Sequence, residues 1–190
     1  MGRKSFRISQ PRWFGSNRLY KVYVEDSGLY GARIGGQLSD PRAADIILQV
    51  IVLVSFAAVF TELLDRGLAG LKPAFIILTP VVALYYLLKR WFKGKVESRE
   101  KTEEKYDTMD PESKGFLTGD LSNFVIGADE IKQVKIKTNS FWANMWQGAS
   151  SHLEVKLRDG SARRFAIIDE LSPEELKDNL SMVARSVTVE

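Results

Sequence analysis

The sequence predicts an α+β membrane protein, in which a transmembrane helical hairpin is inserted in an antiparallel β domain that ends in an amphipathic helix. Three observations predict this class. Two long apolar runs lie in the middle of the chain, at residues 46–64 and 73–92. Alternating β patterns lie before and after them. A short amphipathic stretch with a helix-start signal ends the chain.

The apolar runs predict a transmembrane hairpin over residues 46–92. The first run would span roughly 28 Å as a helix, which is about the thickness of the hydrocarbon layer. The second carries no charge until Lys89 and ends in aromatic and basic residues that favour a membrane interface. Only residues 65–72 join the two runs, so we expect a tight turn between antiparallel helices.

The distribution of lysine and arginine predicts the orientation of this hairpin. Residues 1–45 carry eight of these cations, and four more lie at the C-terminal end of the second apolar run, at positions 89, 90, 93 and 95. The connecting loop carries only Arg66 and Lys72. Positive charge favours the cytoplasmic side, so we expect a two-pass protein of the cell (inner) membrane with both termini in the cytoplasm.

Residues 18–45 contain a predicted β-hairpin, "LYKVYVEDSGLYGARIGG", in which Tyr20, Val22 and Val24 share one face. An isolated hairpin is marginally stable in water, so it needs further strands. Two membrane crossings return the chain to the side on which the hairpin lies. We therefore expect its partners in residues 115–190, which complete a single split β domain.

Residues 93–114 are densely charged and of mixed sign. The pairs Glu97–Lys101 and Arg99–Glu103 have helical i,i+4 spacing, which predicts a stalk that continues the second membrane helix to near Asp110. A solvated linker is an equally acceptable interpretation.

Four further strands are predicted in residues 123–128, 130–137, 152–158 and 162–168. Asp159-Gly160 is a hairpin signal between the last two. Ser172 and Glu175 form a capping-box pattern that opens a helix. Its predicted apolar stripe, which would pack on the sheet, consists of Leu176, Leu180, Val183 and Val187.

The early "YKVYVEDSGLYGARIGG" and the late "IGADEIKQVKIK" and "LEVKLRDGSARRFAIIDELSPEELKDNL" together resemble the bacterial pleckstrin-homology-like (PH-like) domains. The resemblance covers residues 18–36 and 121–187 and leaves out the apolar runs. It implies a PH-like β domain, here split by the transmembrane hairpin. It also implies a binding module and not an enzyme.

The composition excludes several kinds of chemistry. The chain has no cysteine, which excludes disulfides, thiolate nucleophiles and thiolate metal sites, and its one histidine, His152, has no second histidine to share a metal. The carboxylates are scattered, and the serines have no basic partner in the sequence pattern. We expect no catalytic site, no metal and no cofactor. With a net charge of +3, we expect no nucleic-acid partner.

Three features could mediate binding. The first is a basic aromatic arm, residues 1–17, which could lie on anionic headgroups or on a partner, or could be a frayed basic tail. The second is an aromatic segment, residues 139–148, which is either core or contact surface. With the interfacial Trp91, the candidate contacts for a partner or the membrane are Arg3, Arg7, Trp13, Phe14, Trp91, Phe141, Trp142 and Trp146.

The third feature is a basic stripe on adjacent strands, which could face phosphate groups or be an ordinary solvated sheet face. Its candidate residues for an anionic headgroup are Lys135, Lys137, Lys156, Arg158 and Arg164, and Arg163 belongs to the same pattern. The leading hypothesis for function is a non-enzymatic accessory or scaffold subunit that docks on a larger integral membrane protein complex. The alternative is a membrane-surface module that binds an anionic lipid headgroup through the stripe.

Overall fold

A computed structural model describes residues 3–10, 17–36, 39, 41–67, 71–138, 151–169, 171–184 and 186–190. The fold is mixed α+β, with an eight-stranded open sheet and two long apolar helices. The chain divides into two compact units, one formed by residues 1–37 with 99–190 and the other by residues 38–98.

The strands are β1 (Ser5–Gln10), β2 (Arg18–Glu25), β3 (Gly28–Gly36), β4 (Phe124–Gly127), β5 (Ile131–Thr138), β6 (Ser151–Leu157), β7 (Ala162–Ile167) and β8 (Val187–Val189). The helices are α1 (Pro41–Arg66), α2 (Leu71–Asp107), α3 (Lys114–Thr118) and α4 (Pro173–Leu180).

The sheet combines strands from both ends of the chain. Its strand order is β4-β3-β2-β1-β7-β6-β5-β8, and the neighbouring strands are antiparallel except for the parallel pair β5 and β8. Ile8 of β1 lies opposite Ile167 of β7. At the other side of the hairpin, Leu29 of β3 lies opposite Ile126 of β4. The early hairpin therefore pairs with strands that follow the two long helices.

We expected residues 1–17 to form an arm separate from the β domain. For Ser5–Gln10 this expectation is wrong, because these residues form strand β1 of the sheet. Phe6 and Ile8 alternate with polar neighbours, so both side chains enter the core, where they are 1% and 0% exposed. Arg7, which lies between them, points to the other face. The structure does not describe residues 11–16, which include Trp13 and Phe14.

The main core lies between one face of the sheet and α4. Tyr20, Val22 and Val24 share the buried face, as the alternation predicted, and Leu153, Val155 and Leu157 do the same on β6. Helix α4 begins with the predicted capping box and contributes Leu176 and Leu180, both fully buried. These side chains come from both halves of the chain, so the sheet residues before and after the long helices share one core.

The predicted C-terminal helix is too long. Helix α4 ends at Leu180, and Val187 lies in β8 opposite Val134 of β5. The backbone N–H of Val134 donates to the carbonyl of Ser186 at 2.9 Å, and that of Glu190 donates to Ile136 at 2.8 Å. The edge of β5 thus offers backbone partners that a continued helix could not use, and the chain adds a strand instead.

The opposite face of β2 and β3 is covered by the end of α2 and by α3. Phe116 of α3 is fully buried, and its ring meets those of Tyr23 and Tyr106 edge-on, with centroids 5.7 and 5.2 Å apart. Tyr30 and Ala32 complete this second, smaller core. Both faces of the early hairpin are therefore packed.

Residues 38–98 contain the apolar parts of α1 and α2. Leu48 and Phe92 are buried between the helices, with Tyr85 and Leu88 packed beside them. Both helices are long and apolar enough to span a membrane, with mean hydropathies of 2.4 and 1.8, and only 6% of each apolar window is buried within the protein. Helix α2 runs from Leu71 to Asp107, so the charged segment that follows its apolar part is helical as far as Asp107.

Candidate functional site

An ion-pair network lies on the outer face of β1 and β2, where the end of α2 crosses the sheet. Arg7 of β1 contacts Glu103 of α2, with Nη2 3.0 Å and Nε 3.2 Å from Oε2. Its other terminal nitrogen, Nη1, lies 3.3 Å from Oδ1 of Asp169. Arg99 lies 3.1 Å from Glu103, and both side chains are only 8% exposed. The network therefore joins β1, α2 and the segment after β7.

A second group of polar contacts extends this network. Lys21 lies 2.7 Å from Oδ1 of Asp107, and the Tyr23 hydroxyl donates to the same oxygen at 2.7 Å. Burial, together with the hydrogen bond to Asp107, raises the pKa of Tyr23 far above its ordinary value, so its phenol stays protonated and remains a donor. Although burial alone would lower the pKa of Arg7, Glu103 and Asp169 raise it. Both groups therefore hold their protons over the whole physiological range.

Two of the predicted contact residues of the N-terminal segment, Arg3 and Arg7, make contacts within the chain. Arg3 lies 2.9 Å from Glu25, and it donates from Nη1 to the carbonyl of Met109 at 2.9 Å. Arg7 belongs to the network above. Their predicted contact with a partner or with the membrane stays a prediction.

Of the aromatic candidates, the structure describes only Trp91. It lies on α2, is 46% exposed, and has the ammonium of Lys95 5.5 Å from its ring centroid. Trp13, Phe14, Phe141, Trp142 and Trp146 lie outside the described residues.

The outer face of β5, β6 and β7 brings three of the stripe residues, Lys135, Lys137 and Arg164, close together. Lys135 lies opposite Glu154, which lies opposite Arg164 on the next strand, and Lys137 lies opposite His152. Lys135 and Lys137 both pair with Glu190, the second at 3.6 Å, and Arg164 lies 3.0 Å from Glu154. Two carboxylates therefore neutralise much of the charge that the sequence pattern suggested.

The remaining stripe residues differ in position. Lys156 lies on the same face, opposite Gln133 and Ala162, and Arg158 is exposed just beyond β6. Arg163 does not belong to this face. Adjacent residues of a strand point to opposite faces, and the guanidinium of Arg163 lies over the ring of Phe124, 6.0 Å from its centroid.

A shallow cavity of about 350 Å³ lies on this basic face. Its lining is formed by Lys137, His152, Leu153, Glu154 and Arg164. Among the residues that the structure describes, no group of three or more histidine, aspartate or glutamate side chains could hold a metal ion. This arrangement offers hydrogen bonds and charge to a ligand on the outer face of β5, β6 and β7.

Sequence reasoning identified Arg7 as a candidate contact for a partner or the membrane, but it did not predict the ion pairs that Arg7 makes within the chain. The i,i+4 spacing of Arg99 and Glu103 was a correct signal, but nothing local paired Arg7 with Glu103, 96 positions away. Asp169 and Asp107 carried no signal beyond their position at the ends of predicted elements. Comparison with protein-family models, with curated proteins and with solved structures found no match to this chain.

Proposed function

We propose that this protein is a two-pass membrane protein that acts, without catalysis, as an accessory or scaffold subunit of a larger membrane protein complex. The observation that carries the proposal is the exposure of α1 and α2, whose apolar windows are only 6% buried by the chain itself. Leu53, Phe56 and Ile76 are 69%, 68% and 73% exposed. Lipid and partner helices are the surroundings that would cover so large an apolar surface.

The split β domain is the second part of the proposal. Seven antiparallel strands followed by an amphipathic helix agree with the PH-like resemblance of the sequence. In this proposal the β domain is a PH-like binding module that faces the cytoplasm, together with both termini. Both faces of β2 and β3 are packed, and among the described residues no second core covers the outer face of β5, β6 and β7, which is the polar surface that we assign to a partner.

Cysteine labelling tests the membrane topology, because the chain has no cysteine of its own. Asp65→Cys lies at the end of α1, and Lys132→Cys lies on β5; both positions are exposed. We expect a membrane-impermeant maleimide to label Asp65→Cys in intact cells and to label Lys132→Cys only after permeabilisation. Labelling of both positions, or of Lys132→Cys alone, in intact cells contradicts the proposed topology.

Purification of the full chain in mild detergent tests the scaffold role. We expect one or more integral membrane proteins to co-purify at a fixed stoichiometry, identified by mass spectrometry. Recovery of the chain without any partner, under milder extraction as well, contradicts this role.

A lipid-headgroup module is the second candidate function. It is favoured by Lys156 and Arg158, for which the described part of the chain offers no carboxylate within ion-pair distance. Such a module would purify alone and bind vesicles that contain anionic lipid with strong salt dependence. Lys156→Glu with Arg158→Glu would abolish this binding, whereas Lys114→Glu with Lys177→Glu, an equal change of charge elsewhere, would leave most of it.

A further inference from the structure

A groove of about 750 Å³ lies between α1 and α2, within residues 38–98. Its walls are mainly apolar, with Leu48, Val52 and Phe56 contributed by α1 and Tyr85 and Phe92 by α2. In water such a groove would be unfavourable. In a membrane it must be filled by an apolar group.

The described charged residues that line the groove lie at one end of it. Lys89 and Lys93 are one helical turn apart on α2, and Asp45 at the start of α1 lies at the same end. Lys93 is also 3.7 Å from Glu97, but this pair is largely exposed, at 77% and 54%, and so contributes little. The mouth of the groove is therefore both polar and weakly positive among its lining residues.

The apolar part of the groove has the depth of one membrane leaflet. From Leu48 to Phe56 the helix rises by roughly 12 Å, close to half of the hydrocarbon thickness of about 30 Å. A second cavity of about 480 Å³ shares Val52, Phe56 and Tyr85 with the first. None of the described residues that line it is charged, so the apolar space continues away from the lysines.

We propose that this groove is a binding site for one anionic phospholipid. The phosphate lies at Lys89 and Lys93, and one acyl chain lies along Val52, Phe56 and Tyr85. An amphiphile with a single anionic end matches a groove whose positive charge is confined to one end. An apolar partner helix would not require positive charge at one end of the groove. The inference rests on the proposed insertion of α1 and α2 in a membrane, and it concerns a different surface from the stripe on β5, β6 and β7.

Native mass spectrometry of the full chain in mild detergent tests the site, with phosphatidylglycerol and phosphatidylcholine as probes. The wild-type chain should retain one phosphatidylglycerol in preference to phosphatidylcholine. Lys89→Glu with Lys93→Glu should lower that preference by about tenfold or more, because two attractive charges become repulsive. The matched control is Arg90→Glu with Lys95→Glu, the same change of charge at residues that do not line the groove. It should leave the preference within about twofold.

A second pair of variants tests the apolar part without changing charge. Val52→Trp would fill the groove and should reduce retention of both lipids, whereas Val54→Trp, at a 63% exposed position outside the lining, should not.

Three outcomes would overturn the site: equal retention of both lipids by the wild type, an equal effect of the two double charge variants, or displacement of all lipid by a stoichiometric partner polypeptide. Release of the wild-type chain from membranes by alkaline carbonate would instead refute the proposed membrane function. Resistance to that extraction with no lipid preference refutes the site alone.

Discussion

Arg7 of β1 and Glu103 of α2 are 96 residues apart in the chain and joined by three contacts of 3.0 to 3.2 Å. The Glu103 side chain is only 8% exposed, and Arg99 and Lys21 lie 3.1 and 4.0 Å from its carboxylate. A carboxylate at this depth is stable only while it is paired, because burial removes the water that would otherwise solvate it. The pair therefore attaches the end of α2 to the first strand of the sheet.

We expect Arg7→Ala to destabilise the β domain by about 2 kcal/mol. The loss of one partner of a buried pair costs about 3–5 kcal/mol, but Arg99 remains and Arg7 is itself 38% exposed, so the cost should be smaller. The measurement is denaturant unfolding of the full chain in mild detergent. Lys137→Ala is the control within the β domain, since its pair with Glu190 is largely exposed and its loss should change the free energy of unfolding by less than about 0.5 kcal/mol. Equal effects of the two variants would show that the network adds no stability.

Ile8→Ala distinguishes a core strand from a flexible arm at the N-terminus. Ile8 is fully buried, opposite Tyr20 on β2 and Ile167 on β7. Removal of a buried isoleucine side chain to alanine costs about 2–5 kcal/mol, depending on how far the site can collapse. The same unfolding experiment should show this loss, whereas Ser9→Ala, at a partly exposed position of the same strand, should have an effect below about 0.5 kcal/mol. An Ile8→Ala variant as stable as the wild type would be incompatible with β1 as a core strand.

Local patterns were enough to predict three features, since each signal lies within a few residues. Alternation predicted β2 and β6, and the spacing of serine and glutamate predicted the capping box of α4. Local patterns failed where distant residues decide the outcome. Strand β1 has only two apolar positions among polar ones, and its role depends on pairing with β7, more than 150 residues later. Val187 fits a helical period as well as a strand, and the free edge of β5 selects the strand.

The candidate site was less predictable than the fold for the same reason. The sequence identifies which residues are basic, but the ion pairs that neutralise them come from β6 and from the chain end. Glu190 lies beside Lys135 and Lys137 only because β8 pairs with β5. The hydrogen bond from Lys135 lowers the pKa of Glu190, which keeps that carboxylate charged opposite the stripe.

Gly28→Ala should destabilise the junction of β3 and β4. A Cβ atom at Gly28 would lie 2.3 Å from the carbonyl oxygen of Ile126, a backbone atom of the paired strand that cannot rotate away. Relief of this clash requires the strands to separate, which we expect to cost about 2–3 kcal/mol. Gly115→Ala in α3 is the control: its nearest neighbour would be 3.9 Å away, so the change should be neutral or slightly stabilising. Unfolding curves of the two variants that coincide would contradict the close pairing of β3 with β4.

The capping box of α4 predicts a dependence on acidic pH. The backbone N–H of Ser172 donates to Oε2 of Glu175 at 2.9 Å, and the backbone N–H of Glu175 donates to the Ser172 hydroxyl at 3.2 Å. The bonds from the Ser172 backbone and side chain lower the pKa of Glu175 below its ordinary value of about 4.3. A carboxylate with a lowered pKa in the folded state stabilises that state above the unfolded pKa, and this contribution is lost as pH falls through the folded pKa.

We therefore expect the amides of the first turn of α4 to exchange faster, after correction for intrinsic exchange rates, as pH falls below about 4. Glu175→Gln should remove most of this pH dependence, because the amide cannot be protonated in that range. Glu174→Gln alters the adjacent acidic residue, for which the described residues show no capping hydrogen bond, and should retain it. Hydrogen-exchange mass spectrometry at pH 5 and pH 3 measures the difference. A pH dependence of equal size in both variants would mean that the carboxylate of Glu175 does not hold the start of α4, and that the packing of Leu176 and Leu180 alone keeps this helix on the sheet.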